Sequence, residues 1–466
     1  MTVRTPLITA TIAISTAVLA VAAPPRLVIA DVTVVDTTGG PLQPHRDVIL
    51  DGDRIAAVQS AAATQDSGDT IIDGRGKFLI PGLWDMHAHT FQNDALLPDV
   101  ILQLQLANGV TGVRDMGAST LEMPVLFRRA GDAGALRVPH LVVAGRVIDG
   151  TPPNKPRFVS VTTAEEARRA VDVEADGGVD FIKVYTELSR DAYFAIAAEA
   201  KKRGLPFGGH VPLAITMREA AEAGQATVEH FWGVLLGCSS REDALTAEER
   251  AENVKPPRGQ FRGHLTTAQA AIDTFDARKA QALFETFVQR HTHHVPTLEA
   301  LRRFGAPRAE PPGLEYMPTI VRQTAMVGAG RMNPTLVADA RVYYAEVLKL
   351  VLQMHRAGVP FMAGTDGVTP GFMLHQDLER FVDAGFTPLE ALQTATIVPA
   401  RFLHREDRFG AIASGRAADL VLLDEDPTRA IANTKKIRAV IFKGELLDRA
   451  ALDAMLARIK AATNPS

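Results

Sequence analysis

Eight short apolar runs, each followed by a helix-like segment or a loop, fill the middle of this 466-residue chain. They occupy residues 83–89, 110–116, 140–144, 181–185, 206–211, 227–232, 294–298 and 360–365. Strands that alternate with helices need crossover connections and so pair in parallel. Eight such units close into a ring rather than an open sheet. The expected fold class is therefore α/β, a (β/α)8 TIM barrel. Segments such as 192–203 and 217–223 carry helical spacing and end at glycine, as the intervening helices should. No glycine-rich dinucleotide fingerprint opens the first unit, which disfavours a nucleotide-binding sheet.

The flanks read differently. RLVIADVTVVD alternates and is β-branched, and DVILDGDRIAAV reads as a hairpin around Asp51-Gly52. Strand-like runs return at 419–424 and 437–443, before a helical stretch at 447–462. Residues 23–80 and 405–466 thus suggest a small β-sandwich domain built from both termini, around a barrel at 81–404. Within the barrel, 235–290 is a long, charged, helix-forming insertion broken by KPPRG. It is either a lid over the catalytic face or an element for packing or dimerisation. A second helical stretch, 334–357, precedes the last strand. Residues 1–22 read as a signal peptide: Arg4 precedes an apolar stretch that ends in Ala20-Val21-Ala22. That predicts an exported protein, periplasmic or secreted, with no stable membrane insertion after cleavage. The single cysteine, Cys238, excludes an intrachain disulfide, and none follows the apolar stretch to carry a lipid. A net charge of −4 gives no reason to expect nucleic acid as a partner.

Five runs end in residues with chemistry: His87 and His89 in WDMHAH, Lys183 in FIKVY, His210 in FGGHV, His230 in VEHFW and Asp366 in AGTDG. The C-terminal ends of barrel strands converge on one mouth. His87 and His89 are two apart, so strand alternation turns both to the interior. Two neutral imidazoles there can hold one borderline metal ion. Alone such a pair is a weak signal; on the first barrel strand it gains weight. Lys183 is the unusual member, because a lysine ending an apolar strand ordinarily snorkels to water. Pointed into a cationic site it must be neutral or modified, and reaction with CO2 would give a carbamate able to bridge two ions. His210 and His230, one βα unit apart, would supply a second ion. Asp366 can ligate the first ion and accept a proton from a hydroxide shared by the two.

This combination resembles the amidohydrolase superfamily, binuclear metal type. The resemblance spans residues 26 to about 445, GRAADLVLLD included. LANGVTGVRDMG, VDFIKVY, GGHV, VEHFWG and AGTDG resemble its imidazolonepropionase-related, prolidase-like branch, which includes Xaa-Pro dipeptidase-like and ochratoxinase-like enzymes. The resemblance implies that His87, His89 and Asp366 hold one ion and His210 and His230 the other. A carbamylated (N6-carboxy) Lys183 would bridge them. Imidazolonepropionase itself is mononuclear and lacks this carbamate, so Lys183 argues against that activity. Relatives of the binuclear kind cleave dipeptides, acylated amino acids and amides such as ochratoxin. The implied activity is therefore metal-dependent hydrolysis of an amide bond in a dipeptide or N-acyl amino acid, by attack of a metal-bridging hydroxide. Two divalent ions are expected; the donor set suits zinc, with manganese, cobalt or iron as alternatives.

Further candidates surround these residues. Tyr185, two after Lys183, shares its face and could donate to an oxyanion. Arg114, Arg146 and Lys155 could hold a substrate carboxylate. Of the cluster His291, His293 and His294, one or two could face inward, and His294 is the candidate for substrate contact. His375 could orient substrate or the helix it opens, whereas His140 begins its strand away from the mouth. The same site could serve a lactone, cyclic-amide or phosphotriester hydrolase, since pocket shape decides the bond. A non-catalytic barrel would have lost ligands, and none is missing. A homo-oligomer paired through outer helices is compatible with this reading.

Overall fold

The computed structural model describes residues 26–61, 68–92, 97–151, 155, 157–253, 260–306, 310–323 and 333–464. The expected signal peptide lies outside them. Among the described residues no helix is long and apolar enough to cross a membrane.

The chain is α/β, with three hydrogen-bonded sheets. The largest joins both ends of the sequence. Its strands run in the spatial order Glu445–Asp448, Ile437–Phe442, Leu420–Leu423, Phe78–Pro81, Leu27–Val34, Gln43–Asp51 and Arg54–Ser60, with Thr70–Asp73 also on Leu27–Val34. The seam is antiparallel pairing of Leu420–Leu423 with Phe78–Pro81. The terminal strands therefore form one hydrogen-bonded sheet that turns back on itself: Ala418 N donates to Asp53 O and Ile55 N to Arg416 O, and Ile29, Val48, Ile55, Leu79, Leu420 and Ile441 share one apolar core. The hairpin at Asp51-Gly52 is present, with Asp51 opposite Arg54 and Gly52 at φ +55°.

The central strands are all parallel. Leu83–Ala88, Val110–Asp115 and His140–Val143 form one sheet; Val159–Ser160, Ile148–Asp149, Ile182–Val184, Phe207–Gly209, Thr227–Glu229 and His293–Val295 form the other. Hydrogen bonds run between them on both sides. Asp180 N donates to Val143 O, and Met86 N donates to Ala363 O. His294 and Phe361 form a parallel bridge. The expected last strand, 360–365, is an extended segment held only by such isolated bonds; Pro360 brings no N–H to a ladder. Most strands stop one to three residues earlier than the apolar runs. The backbone turns left-handed there, at Gly209 (φ +137°), His230 (+61°) and Phe231 (+68°).

Helices start where the sequence caps them. Thr163 and Glu166 form a capping box on Ala164–Gly177, and Thr216 and Glu219 form one on Met217–Glu222. The insertion contains helices Val234–Gly237, Glu242–Asn253, Gln260–Asp273 and Ala277–Gln289. The last of these leads into strand His293–Val295 and buries Leu283, Phe284 and Phe287, as an ordinary helix between strands does.

Candidate metal centre

The first strand sets the site. Asp85, His87 and His89 share one face, and the segment after Ala363 is zipped against it. Asp366 N donates to His87 O (2.8 Å) and Thr365 N to Asp85 Oδ1 (3.0 Å), while Thr365 Oγ1 donates to Asp85 Oδ2 (2.8 Å). Gly364 makes this approach fit, since a Cβ there would lie 2.7 Å from His87 N. The result brings ligand atoms of His87, His89 and Asp366 within 4.8 Å of one another. His89 Nε2 lies 3.3 Å from Asp366 Oδ1, and His87 Nε2 lies 3.9 Å from it. Asp366 is held in the left-handed region at φ +43°, a strained conformation that aims its carboxylate at the histidines.

His230 joins from the strand Thr227–Glu229, its ring 4.5 Å from that of His87 and 4.7 Å from that of His210. Thr297 Oγ1 is 3.0 Å from His230 Nδ1, and Thr186 Oγ1 is 3.0 Å from His210 Nδ1. Each hydroxyl takes one ring nitrogen and leaves Nε2 as the donor atom. Burial lowers the pKa of His87 and His210 well below the usual range and that of His230 to about 4, so all three are neutral, as ligation requires. Asp366 is held far below the usual carboxylate range: burial opposes this, but its hydrogen bond from His89 and the surrounding imidazoles outweigh it.

Lys183 is 1% exposed and, among the described residues, its Nζ has no hydrogen-bond partner. Burial lowers its pKa to about 8. Gly209 makes room for its stem: a Cβ there would meet Val184 O at 2.2 Å and Lys183 Cδ at 3.0 Å. The half-buried Tyr185 stacks on His210, ring centroids 4.0 Å apart, beside the site as alternation expects.

Glu229 lies at the centre of the support and was not anticipated. Fully buried, it accepts His87 Nδ1 (2.7 Å), Arg114 Nη2 (2.8 Å) and Thr227 Oγ1 (2.6 Å). Burial works against its charge, but Arg114 and His87 hold its pKa well below the usual range. The carboxylate thereby fixes the His87 tautomer with Nε2 turned to the site. A charged residue inside an apolar strand, one before a ligand, was the available signal, and Arg114 inside VTGVRD was its complement.

Several expected substrate residues lie elsewhere. Arg114 does not reach the mouth: it is 1% exposed and its guanidinium also donates to Met86 O and Thr227 Oγ1. Arg146 is tied to Glu174 by a 2.8 Å ion pair at the strand end. His294 pairs in register with Val228, so it faces the helices while Glu229 and Val295 face inward. It is fully buried among Phe287, Phe231 and Phe361. His375 is also buried, bonded through Nδ1 to Thr434 Oγ1 and through Nε2 to Asn108 O, both at 3.0 Å, so it joins elements rather than orients substrate. Lys155, by contrast, stays near the mouth: it is exposed, donates to Gln92 Oε1 (2.8 Å), lies over the Phe158 ring that packs on Tyr185, and is near enough to Asp366 to feel its charge. His140 bonds Asp419 of the terminal sheet (2.8 Å), and Cys238 is a buried thiol pushed up to about 12.

The residues fit divalent ions. Ligand atoms of His87, His89 and Asp366 come together, and among the described residues His87 Nε2 and Lys183 Nζ are buried without hydrogen-bond partners.

The model of the amidohydrolase family matches residues 266–447. An adenine deaminase of Chelativorans sp. (strain BNC1) is 30% identical over 203 residues, 41% of this chain and 32% of that protein. The chain thus spans a third or less of the adenine deaminases that it matches at such identity. A crystal structure of a Xaa-Pro dipeptidase with bound methionine in the active site superposes with TM-score 0.68 at 20% identity, covering 91% of this chain and 100% of that one. Ochratoxinase from A. niger superposes with TM-score 0.64 at 18% identity, covering 91% and 96%. At these identities the structures speak for the fold. Together with the family model they bear out the amidohydrolase resemblance drawn from the motifs.

Proposed function

Taking the chain as an amidohydrolase, we propose that it hydrolyses the amide bond of a dipeptide or N-acyl amino acid at a site for two divalent ions. The fold in this reading is a closed (β/α)8 barrel; the bonds Met86–Ala363 and Asp180–Val143 and the His294–Phe361 bridge support closure.

The observation that carries the proposal is Lys183. A buried ammonium without a hydrogen-bond partner, facing three histidines, is costly. A pKa near 8 leaves part of it as free amine near neutral pH. That amine can add to CO2, forming an N–C bond and losing one proton. The resulting carbamate is an anion with two oxygens, and it removes the buried positive charge. His87, His89 and Asp366 would then hold one ion and His210 and His230 the other, with the carbamate between them. Bound there, the ions supply Lewis acidity toward the carbonyl and a lowered pKa for water.

The remaining steps belong to the protein. Asp366 accepts the proton of the attacking water and returns it to the leaving amine. Tyr185, beside His210, donates toward the developing oxyanion. Glu229 keeps His87 in one tautomer throughout.

The test is turnover of a mixed library of dipeptides and N-acyl amino acids by protein prepared with zinc and bicarbonate. Asp366→Asn runs beside it, with metal content measured. Cleavage of a subset sharing one C-terminal residue, lost about 10²-fold or more in the variant, is expected. Full activity in a metal-loaded Asp366→Asn protein would defeat the mechanism. No cleavage by protein holding two ions would reject linear amides and favour cyclic amides, lactones or phosphotriesters.

A further inference from the structure

A second cavity lies at the other end of the central strands. Its volume is about 710 Å³, and its walls include Phe181, Phe207 and Phe402 beside Arg290, Arg401 and Arg405. Phe207 begins its strand and Phe181 precedes one, whereas the metal ligands lie at strand ends. This cavity and the metal centre therefore open on opposite faces.

Its charge is lopsided. Arg290, Arg401 and Arg405 are exposed, and among the described residues none has a hydrogen-bonding or ion-pairing partner on its side chain. The sole carboxylate on the wall, Asp180, is already used by Arg128 (2.5 Å) and Val143 N (2.8 Å). His291, His293 and His404 add imidazoles to the same wall. The floor is Arg114, whose guanidinium carbon sits 5.4 Å from the Phe181 ring centroid and 5.6 Å from that of Phe402.

Three unpaired guanidiniums around an aromatic-walled hollow match a ligand with an anionic head and an apolar body. We propose that this cavity binds a small organic carboxylate carrying an aromatic or branched aliphatic group. The head would sit among Arg290, Arg401 and Arg405, and the body against Phe207 and Phe402. Arg114 holds Glu229 and Glu229 holds His87, so the ligand would lie within a short hydrogen-bonded relay of the metal centre.

The test is calorimetric titration of the full chain with phenylacetate, with and without divalent metal. The variants are R401E/R405E and the charge-conserving R401K/R405K, neither of which touches the metal centre. One equivalent should bind whether or not metal is present. Affinity should fall at least about tenfold in the Glu variant and stay within about threefold in the Lys variant, with unchanged melting temperatures in both. Independently, Ala226→Phe, which fills the cavity wall, should abolish binding. Binding seen only with metal would place the ligand at the metal centre and overturn the proposal. So would an absence of binding, or binding that R401E/R405E leaves unaltered.

Discussion

The Glu229 relay makes the sharpest prediction. Glu229→Gln keeps the shape but removes the charge that faces Arg114 (2.8 Å) and His87 Nδ1 (2.7 Å). Arg114 then stays buried and uncompensated, a defect of about 3–5 kcal/mol. Arg114 and Thr227 keep the remaining amide oxygen, so the NH2 turns to His87 Nδ1 and the charged acceptor that fixes its tautomer is lost, which in comparable sites lowers metal affinity about 10- to 100-fold. The two effects separate in a double variant. Arg114→Met with Glu229→Gln removes both buried charges and should recover most of the lost stability, because replacing a whole buried pair is often near neutral. It should not recover metal affinity, because His87 still lacks its carboxylate. Stability is read by thermal unfolding of metal-free protein, and affinity by zinc titration against a chelator. Wild-type zinc affinity in Glu229→Gln, or its recovery in the double variant, would refute the reasoning. The relay would then be a packing feature only.

Two other residues give independent checks. Lys183→Ala should lower bound metal from about two ions per chain to about one and abolish turnover, with partial return of both on adding acetate or propionate; unchanged metal content would exclude the bridging role. His294→Phe should stabilise the protein, by about 1–3 kcal/mol at neutral pH, since both ring nitrogens are buried without hydrogen-bond partners among phenylalanines. Burial lowers the folded-state pKa of His294 to about 3, so the wild type keeps its full stability above about pH 6.5 and loses it as pH falls toward 3. The advantage of the variant should therefore widen on acidification; melting curves from pH 7 to 5 that stay parallel would contradict it.

The contrast between His87 and His294 shows what a sequence can carry. His87, His89, Lys183, His210, His230 and Asp366 were legible because each ends an apolar run, and the mouth lies where such runs end. His294 also adjoins an apolar run, but its direction depends on register. Its pairing with Val228 turns it outward, and no local pattern fixes that pairing. For His375 the sequence left two roles open, orienting substrate or the helix it opens; its contacts fit the second, and they could not be foreseen because Asn108 and Thr434 lie far away in sequence and meet only in the fold. Arg114 was one of three basic residues that could hold a substrate carboxylate. Its parity with the strand interior pointed the other way, and Glu229 in VEH was the charge it required.

The same logic limits the substrate. The candidate metal ligands come from the ends of several strands, His87 and His89 from the same one, and those ends are fixed by hydrogen bonding and by glycines such as Gly209 and Gly364 that admit no Cβ. Side chains placed that way keep their positions when the surrounding loops change. Loops follow no strand period and pack by side-chain fit. A chain can therefore declare the bond-breaking chemistry in a few short motifs while leaving the molecule it acts on to be found by experiment.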